Sequence, residues 1–427
     1  MKKIFFFLLI IGFFGTMTNL IFLSVVPTLL SGLLLVFVFS NPQKVLIEKY
    51  QFWFYLFFIF AVISTLIYYP KSFVIYDFYR YDGNFFISYL PLLFFPFMML
   101  NSNPLKILKS FAFFVVAINC LIYFPFLILT KGESLLHPAE LGNTFTPFFK
   151  ATNASGGFYS IIASIFIIFY YNEKKIIYLV CLFLVLIFLW STTSRGSILG
   201  VGVGFIFFYE FKRKRKFLIY FIITLIVLIQ SIIIYNTYPI YKKYLFSSDN
   251  ISVDTRALID NRYDDPDTKQ ANIYIRAFDT WPRATALFLN SPIFGSGFGS
   301  VNDLPLTFDR WIPHFISFND SKKKYFNDSH AHNSYLHFLA EMGIVGLGFF
   351  LLFWFNLFKF ISSDKFKTDI VVKDFLHFSM FNLSIMSFTE HRITTPSNVL
   401  PFMIFFSIAI MSSNYKNYIL SRCAIKP

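Results

Sequence analysis

Long apolar runs, each close to the length needed to cross a bilayer, recur along most of the 427-residue chain. A transmembrane helix needs about 20 predominantly apolar residues, because the hydrocarbon core of a bilayer is about 30 Å thick. The runs are continuous rather than alternating, which argues against barrel strands. Only 14% of the residues are charged and 56% are hydrophobic, whereas about 25% are charged in an average soluble domain. The sequence therefore predicts an all-α integral membrane protein.

The apolar runs predict about twelve transmembrane helices in three parts of the chain. Residues 1–236 would hold helices 1–9, residues 237–333 a large extramembrane loop that contains helices, and residues 334–427 helices 10–12 with a terminal tail. The runs lie at residues 4–22, 24–40, 51–69, 85–100, 107–129, 156–171, 176–193, 197–210, 217–236, 334–359, 375–389 and 398–414.

The distribution of lysine and arginine predicts the orientation. The net charge is +14, which in a soluble protein would suggest nucleic acid, but in a membrane protein the excess belongs to the cytoplasmic loops. Most of the lysines and arginines fall on one side when both termini are cytoplasmic. We therefore expect a lipid bilayer rather than a nucleic acid as partner, with the large loop on the outer side.

The large loop holds most of the polar sequence. Residues 272–290 have apolar side chains near helical spacing and predict a helix, which Pro282 should kink or divide. The Gly-x-Gly-x-Gly spacing of residues 295–299 lies outside any strand–turn–helix context. This spacing therefore predicts a tight turn rather than a nucleotide site.

Two arginines are candidates for binding an anion on the outer side. Arg195 lies in a Ser194-Arg195-Gly196 sequence at the end of the seventh predicted span, and Arg276 lies on the predicted loop helix, nearly two turns before Arg283. A guanidinium binds phosphate oxygens in a bidentate manner. The alternative is structural, because arginines at span ends often extend to the membrane interface and those on loop helices often lie on a solvated face.

Two histidines, His330 and His332, lie where the large loop returns to the membrane, and Asn333 follows directly. A neutral imidazole is a suitable general base near neutral pH. The alternative is a polar histidine at the interface. A zinc site completed by His314 and Asp328 is disfavoured, because the spacing matches no standard zinc site. No metal and no other cofactor is expected.

Two further polar groups are candidates for supporting roles. Glu341 lies one turn after His337 on the tenth predicted span, so both side chains share one helix face. Glu390, His391 and Arg392 lie at the outer end of the eleventh predicted span. They either face the same cavity as the histidines or mark the membrane interface.

Together these segments resemble the O-antigen ligase and O-antigen polymerase superfamily, bacterial inner-membrane glycosyltransferases that use polyprenyl-diphosphate-linked glycans. His332-Asn333 followed by Gly343-x-x-Gly346 is similar to that family's signature after its large periplasmic loop. Ser194-Arg195-Gly196 and residues 276–297 are similar to its Ser-Arg-Gly segment and its loop helix with the following turn. The resemblance covers about residues 155–350 and the twelve-span layout.

The resemblance implies a GT-C-like fold with a cavity at the periplasmic face of the bacterial inner membrane. By position, His332 would be the catalytic base, and Arg195 and Arg276 would bind the donor diphosphate. Enzymes of this family are thought to need no metal. The residues expected to support these three are His330, Asn333, Arg283, Glu341 and Arg392.

The resemblance leaves two acceptors open. A polymerase transfers the growing glycan from undecaprenyl diphosphate to a hydroxyl of the next lipid-linked repeat unit, whereas a ligase transfers it to lipid A–core. The polymerase is favoured because that branch is the more diverse in sequence and the N-terminal half of this chain matches only in hydropathy. A lipid-linked glycan transporter or flippase is disfavoured, because transporters place charged groups near the midplane. The expected partners are the lipid-linked glycan, a chain-length regulator and a flippase.

Overall fold

The computed structural model describes residues 2–17, 48–70, 89, 103–140, 142–149, 152–246, 276–301, 331–393 and 395–410. These residues form helices and connecting turns, with no strand among them. Five of the helices are long and apolar enough to cross a membrane. The predicted class, a helical protein suited to a membrane, is thereby confirmed in its coarse form.

The described helices begin and end close to the predicted runs. A one-turn helix, Glu133–Leu136, lies between α3 and α4. In chain order the longer helices are α1 (Lys2–Gly15), α2 (Lys49–Tyr68), α3 (Pro104–Leu129), α4 (Thr152–Glu173), α5 (Ile176–Ser191), α6 (Arg195–Lys212), α7 (Lys216–Phe246), α8 (Trp281–Asn290), α9 (Ser334–Ser362), α10 (Ile370–Met386) and α11 (Pro396–Ile410).

All of these helices except α8 coincide with a predicted span. The predicted spans at residues 24–40 and 85–100 lie outside the described residues, apart from Tyr89. Twelve membrane crossings therefore remain a prediction.

Helix α7 continues to Phe246, ten residues past the predicted boundary at residue 236, so the large loop begins as an extension of this helix.

Helix α4 lies at the centre of the bundle and α7 at its edge. In the most apolar 18-residue stretch of each helix, 78% of α4 is buried but only 6% of α7. Helix α4 packs against α5, α6, α10 and α11, and α2 packs along α9. Helix α7 packs on α6 and α8, and most of its apolar side chains point outward, as expected for a helix surrounded by lipid.

Charged side chains lie at both ends of the bundle. At one end, Lys212 Nζ lies 2.8 Å from Asp374 Oδ1, where α6 ends and α10 begins. At the opposite end α4, α6, α9 and α11 all begin and α10 ends. The first turn of a helix has free N–H groups that can donate hydrogen bonds, so four helices present such groups at this end, where α3 and α5 also end. We call this the N-terminal end of the bundle.

Three glycines bring α6 into close contact with α10. A Cβ atom at Gly200 would lie 2.3 Å from Met386 Cγ, and one at Gly204 would lie 3.1 Å from the Asn382 backbone. A Cβ atom at Gly196 would lie 2.3 Å from Thr389 Oγ1. Such spacing of small residues lets helix backbones approach closely within a membrane. As a result, the start of α6 is held beside the segment that follows α10.

This packing predicts different outcomes for two glycine substitutions on α6. Gly200→Ala should destabilise the protein by about 1–3 kcal/mol through overpacking, because Met386 must move to admit the methyl group. Gly202→Ala is the matched control, since a Cβ atom at Gly202 would have no neighbouring atom within 4 Å among the described residues. Thermal unfolding of the detergent-solubilised protein would measure both. Equal melting temperatures for the two variants would contradict the packing described here.

Candidate functional site

The Glu390 carboxylate is the centre of a polar cluster at the N-terminal end of the bundle. Its Oε1 lies 2.5 Å from Nδ1 of His332, and its Oε2 accepts hydrogen bonds of 2.8 Å from Arg276 and from Asn153. The Glu390 side chain is only 5% exposed, against 22% for His332 and 18% for Arg276. The buried carboxylate therefore has a donor at each oxygen, whereas the His332 and Arg276 side chains remain partly accessible.

The orientation of the His332 ring follows from this contact. Arg276 and Asn153 both donate to Glu390, which favours an ionised carboxylate, and an ionised carboxylate only accepts hydrogen bonds. Nδ1 of His332 is therefore the donor in its contact with the Glu390 carboxylate. In the neutral form of an imidazole, a proton held on Nδ1 leaves the lone pair on Nε2.

The backbone of His332 is in the left-handed region, with φ of +48°. For a residue other than glycine this conformation costs about 1–2 kcal/mol. The next residue, Asn333, is the N-cap of α9, and its Oδ1 accepts from the backbone N–H groups of Tyr335 and Leu336. The His-Asn pair thus combines a turn that directs the imidazole toward Glu390 with a cap that starts the helix.

A five-residue π-helical turn, residues 276–280, carries Arg276 and leads directly into α8. Pro282 lies in the first turn of α8, where its missing N–H is tolerated. The predicted helix over residues 272–290 is therefore divided at the proline as expected, and its residues 272–275 lie outside the described ranges. Arg283 lies half-buried in the first turn of α8, directly after the proline.

Arg392 is a buried connector between helices. It is 2% exposed, and its guanidinium donates to Ser194 Oγ at 2.9 Å, to Asn398 Oδ1 at 3.0 Å and to the Asn153 carbonyl. Burial lowers the pKa of Arg392 to about 10, so the side chain stays protonated at neutral pH. It therefore holds together the beginnings of α4, α6 and α11.

Arg195 lies beside this cluster without joining it. It is the first residue of α6 and is exposed, and it makes no hydrogen bond or ion pair with another described residue. Its neighbour Ser194 is bound by Arg392, and Gly196 lies against Thr389, next to Glu390. Arg195 is thus held near Glu390 with its guanidinium unoccupied by the described part of the protein.

Helix α9 is interrupted at Gly343, where the backbone has φ of +63° and ψ of −170°. In an uninterrupted helix Ile344 N–H would donate to Ala340, and Val345 N–H to Glu341. Instead, the segment at residues 291–297 satisfies all four groups. Its carbonyls accept from the two N–H groups, and its N–H groups donate to the two carbonyls: Ile344 to Pro292, Val345 to Ile293, Ser296 to Ala340 and Gly297 to Glu341.

The glycines of this segment make the contact sterically feasible. Gly295 and Gly297 have φ of +76° and +95°. A Cβ atom at Gly295 would lie 2.1 Å from the Glu341 carbonyl oxygen, and one at Gly343 would lie 2.3 Å from the Ile293 carbonyl oxygen. The tight turn predicted for residues 295–299 is therefore present, and it joins the end of α8 to α9.

A second buried group lies deeper along α9. His337 Nε2 and Glu341 Oε2 are 3.1 Å apart, both side chains are fully buried, and the His337 ring lies 4.3 Å from that of His391. Glu341 Oε1 also accepts from the Val301 N–H. The predicted contact between His337 and Glu341 is present, and it places Glu341 behind the Glu390 cluster rather than in it.

The sequence alone points to part of this site. For Glu390 it leaves two alternatives open, a side chain that faces the cavity or one that marks the membrane interface. It does not single out Asn153, because one asparagine at a span end carries no distinctive signal. His330, His314 and Asp328 lie outside the described residues. Within the described ranges, no group of three or more His, Cys, Asp or Glu side chains is arranged to hold a metal ion.

The helical architecture and the contacts among His332, Glu390 and Arg276 define a helical protein suited to a membrane, with a histidine and an arginine held by one carboxylate at one end of its bundle. Residues 179–351, from α5 into α9, match the family model described as O-antigen ligase. This match confirms the resemblance to the O-antigen ligase and polymerase superfamily over that region. A comparison with curated proteins finds no match.

Proposed function

We propose that the protein is an O-antigen polymerase, which transfers a growing glycan from undecaprenyl diphosphate to a hydroxyl of the next lipid-linked repeat unit. The observation that carries this proposal is the His332–Glu390–Arg276 cluster, because it joins an oriented base to a phosphate-binding group. The family match over residues 179–351 supports the same reaction class.

His332 is suited to activate the acceptor. Sugar hydroxyls are weak nucleophiles, and a base within hydrogen-bond reach accelerates their attack by about 10²–10⁴-fold. With Nδ1 held by Glu390, Nε2 takes the hydroxyl proton while the acceptor oxygen forms a bond to the anomeric carbon of the donor. The bond between that carbon and the diphosphate oxygen breaks, and the electron pair leaves with the diphosphate.

The leaving diphosphate needs positive charge around it. Within the described residues, Glu390 is the sole hydrogen-bond partner of the Arg276 guanidinium, so Arg276 retains donors for phosphate oxygens. Arg195 has its whole guanidinium available and lies at the start of α6. The first turns of four helices also lie at this end, and the free N–H groups of a first turn can bind anions. Stabilising charge where it develops is commonly the largest contribution to such catalysis.

The charge distribution supports a periplasmic site in the bacterial inner membrane. Lys174 and Lys175, the basic residues 212–216, and Lys365 and Lys373 all lie at the bundle end opposite Glu390. Because cytoplasmic loops carry the excess of lysine and arginine, that end would be cytoplasmic. This orientation also favours cytoplasmic termini and twelve crossings.

A ligase that transfers the glycan to lipid A–core is the second candidate. The matching family model carries the description O-antigen ligase, and both reactions use the same donor chemistry. The polymerase is favoured because that branch of the superfamily is the more diverse in sequence, and the family match leaves the N-terminal part of this chain uncovered. A flippase is less well supported, because it would not need a base and would release no polyprenyl diphosphate.

Deleting the gene in its host separates the two acceptors. For a polymerase, a gel of the lipopolysaccharide should show core bearing a single repeat unit, because ligation continues without chain growth. Re-expression of the intact gene should restore the ladder. Core without any repeat unit, together with polymer on the lipid carrier, would instead identify the ligase. An unchanged ladder would reject both activities for this polymer.

Replacing the base should abolish most of the transfer. His332→Ala is expected to lower kcat by about 10²–10⁴-fold, the usual contribution of a general base, in membranes that contain normal amounts of the protein. Transfer is measured as the release of polyprenyl diphosphate from purified lipid-linked donor. His137→Ala is the control, because His137 is exposed and lies outside the cluster. Near-normal transfer by His332→Ala would reject the assigned role.

Removing either arginine should weaken donor binding. Each of Arg195→Ala and Arg276→Ala should raise the KM for the lipid-linked donor by about 10–100-fold, because a hydrogen bond to a charged group contributes about 1.5–3 kcal/mol. Arg213→Ala is a matched control, since Arg213 is exposed at the opposite end of α6. Unchanged donor KM in both cluster variants would exclude these residues as the diphosphate site.

A further inference from the structure

Gln230 extends from the outward-facing helix α7 toward the Glu390 cluster. Helix α7 is the most apolar of the candidate spans. A glutamine within such a helix is costly unless its amide is hydrogen-bonded. Both halves of this amide are hydrogen-bonded, and both bonds go to segments that carry the proposed catalytic groups.

The two bonds connect distant parts of the chain. Nε2 of Gln230 donates to the Phe388 carbonyl at 2.7 Å, and its Oε1 accepts from Asn333 Nδ2 at 3.1 Å. Phe388 lies two residues before Glu390, and Asn333 directly follows His332. One side chain on α7 therefore bridges the two segments whose side chains meet at the Nδ1–Oε1 contact, in addition to the direct hydrogen bonds that Ser334 makes with Ser387 and Arg392.

Satisfying the amide of a polar residue on α7 does not require hydrogen bonds to two other segments. Asn236, on the same helix, satisfies its amide locally by donating to the Ile232 carbonyl at 2.8 Å, as polar residues in apolar helices commonly do. Gln230 instead uses a donor and an acceptor on two different segments. Neither an apolar nor a charged side chain of similar size can supply both bonds.

We infer that Gln230 is a positioning residue that holds His332 and Glu390 in register for proton transfer. This inference rests on the proposed role of His332 as base. Helix α7 also packs against the π-helical turn that carries Arg276, and against α8. Thus α7 contacts all three segments of the site, and Gln230 provides its polar contact with two of them.

The test replaces the Gln230 side chain by methionine, which has a similar size and shape but no amide group. Gln230→Met should lower kcat for glycan transfer by about tenfold, because small displacements of a catalytic group cost that much or more. The KM for the lipid-linked donor and the melting temperature should stay close to those of the control, Asn236→Ala. If the methionine variant fails to fold, Gln230→Glu is used, since it keeps an acceptor for Asn333 and loses the donor to Phe388.

A double-mutant cycle with Glu390→Gln separates positioning from general stabilisation. If Gln230 acts through the His332–Glu390 contact, Gln230→Met should have less than about a twofold further effect once that contact is weakened. Three results would overturn the inference. They are effects of the two substitutions on kcat that multiply, an unchanged kcat in Gln230→Met, and a loss of kcat that a lower melting temperature explains. Retained transfer in His332→Ala would instead reject the proposed function, so the two failures are distinguishable.

Discussion

A buried carboxylate must have donors for its oxygens, and Glu390 makes this requirement the organising constraint of one end of the bundle. An uncompensated ionised carboxylate costs several kcal/mol in a low-dielectric interior. His332, Arg276 and Asn153 meet the requirement from three different parts of the chain. The same bonds orient an imidazole and hold a guanidinium, so compensating one charge also brings together the two groups on which the proposed reaction depends.

The surroundings of this carboxylate are net positive. Arg276, Arg392 and the exposed Arg195 outnumber it, and four helices begin nearby. Both terminal nitrogens of the buried Arg392 guanidinium are used in holding α4, α6 and α11, whereas Arg276 and the exposed Arg195 have donors that bind no other described residue. The proposed donor carries two phosphates, and its binding and release would need this division between structural and available charge.

Short-range patterns in the sequence encode the helices and several local contacts. Continuous apolar runs predicted the helices, the spacing of His337 and Glu341 predicted their contact, and the glycine spacing predicted a turn. Asn153 and Gln230 could not be found in this way, because each acts on residues more than a hundred positions away and neither has a local pattern. Glu390 was visible as an ionisable residue at a span end, but only three-dimensional proximity showed that it joins His332 to Arg276.

The break in α9 at Gly343 has a consequence for how this chain can vary. Residues 291–297 attach to α9 through four hydrogen bonds between main-chain atoms, each replacing one end of an opened helical pair. Because such an attachment needs glycine at Gly295 and Gly343 but sets few demands on the neighbouring side chains, the adjoining surface can change its chemistry without loosening the joint. For the proposed glycan transfer, this means that the surface beside the joint can alter which sugars it contacts while the main-chain frame stays constant.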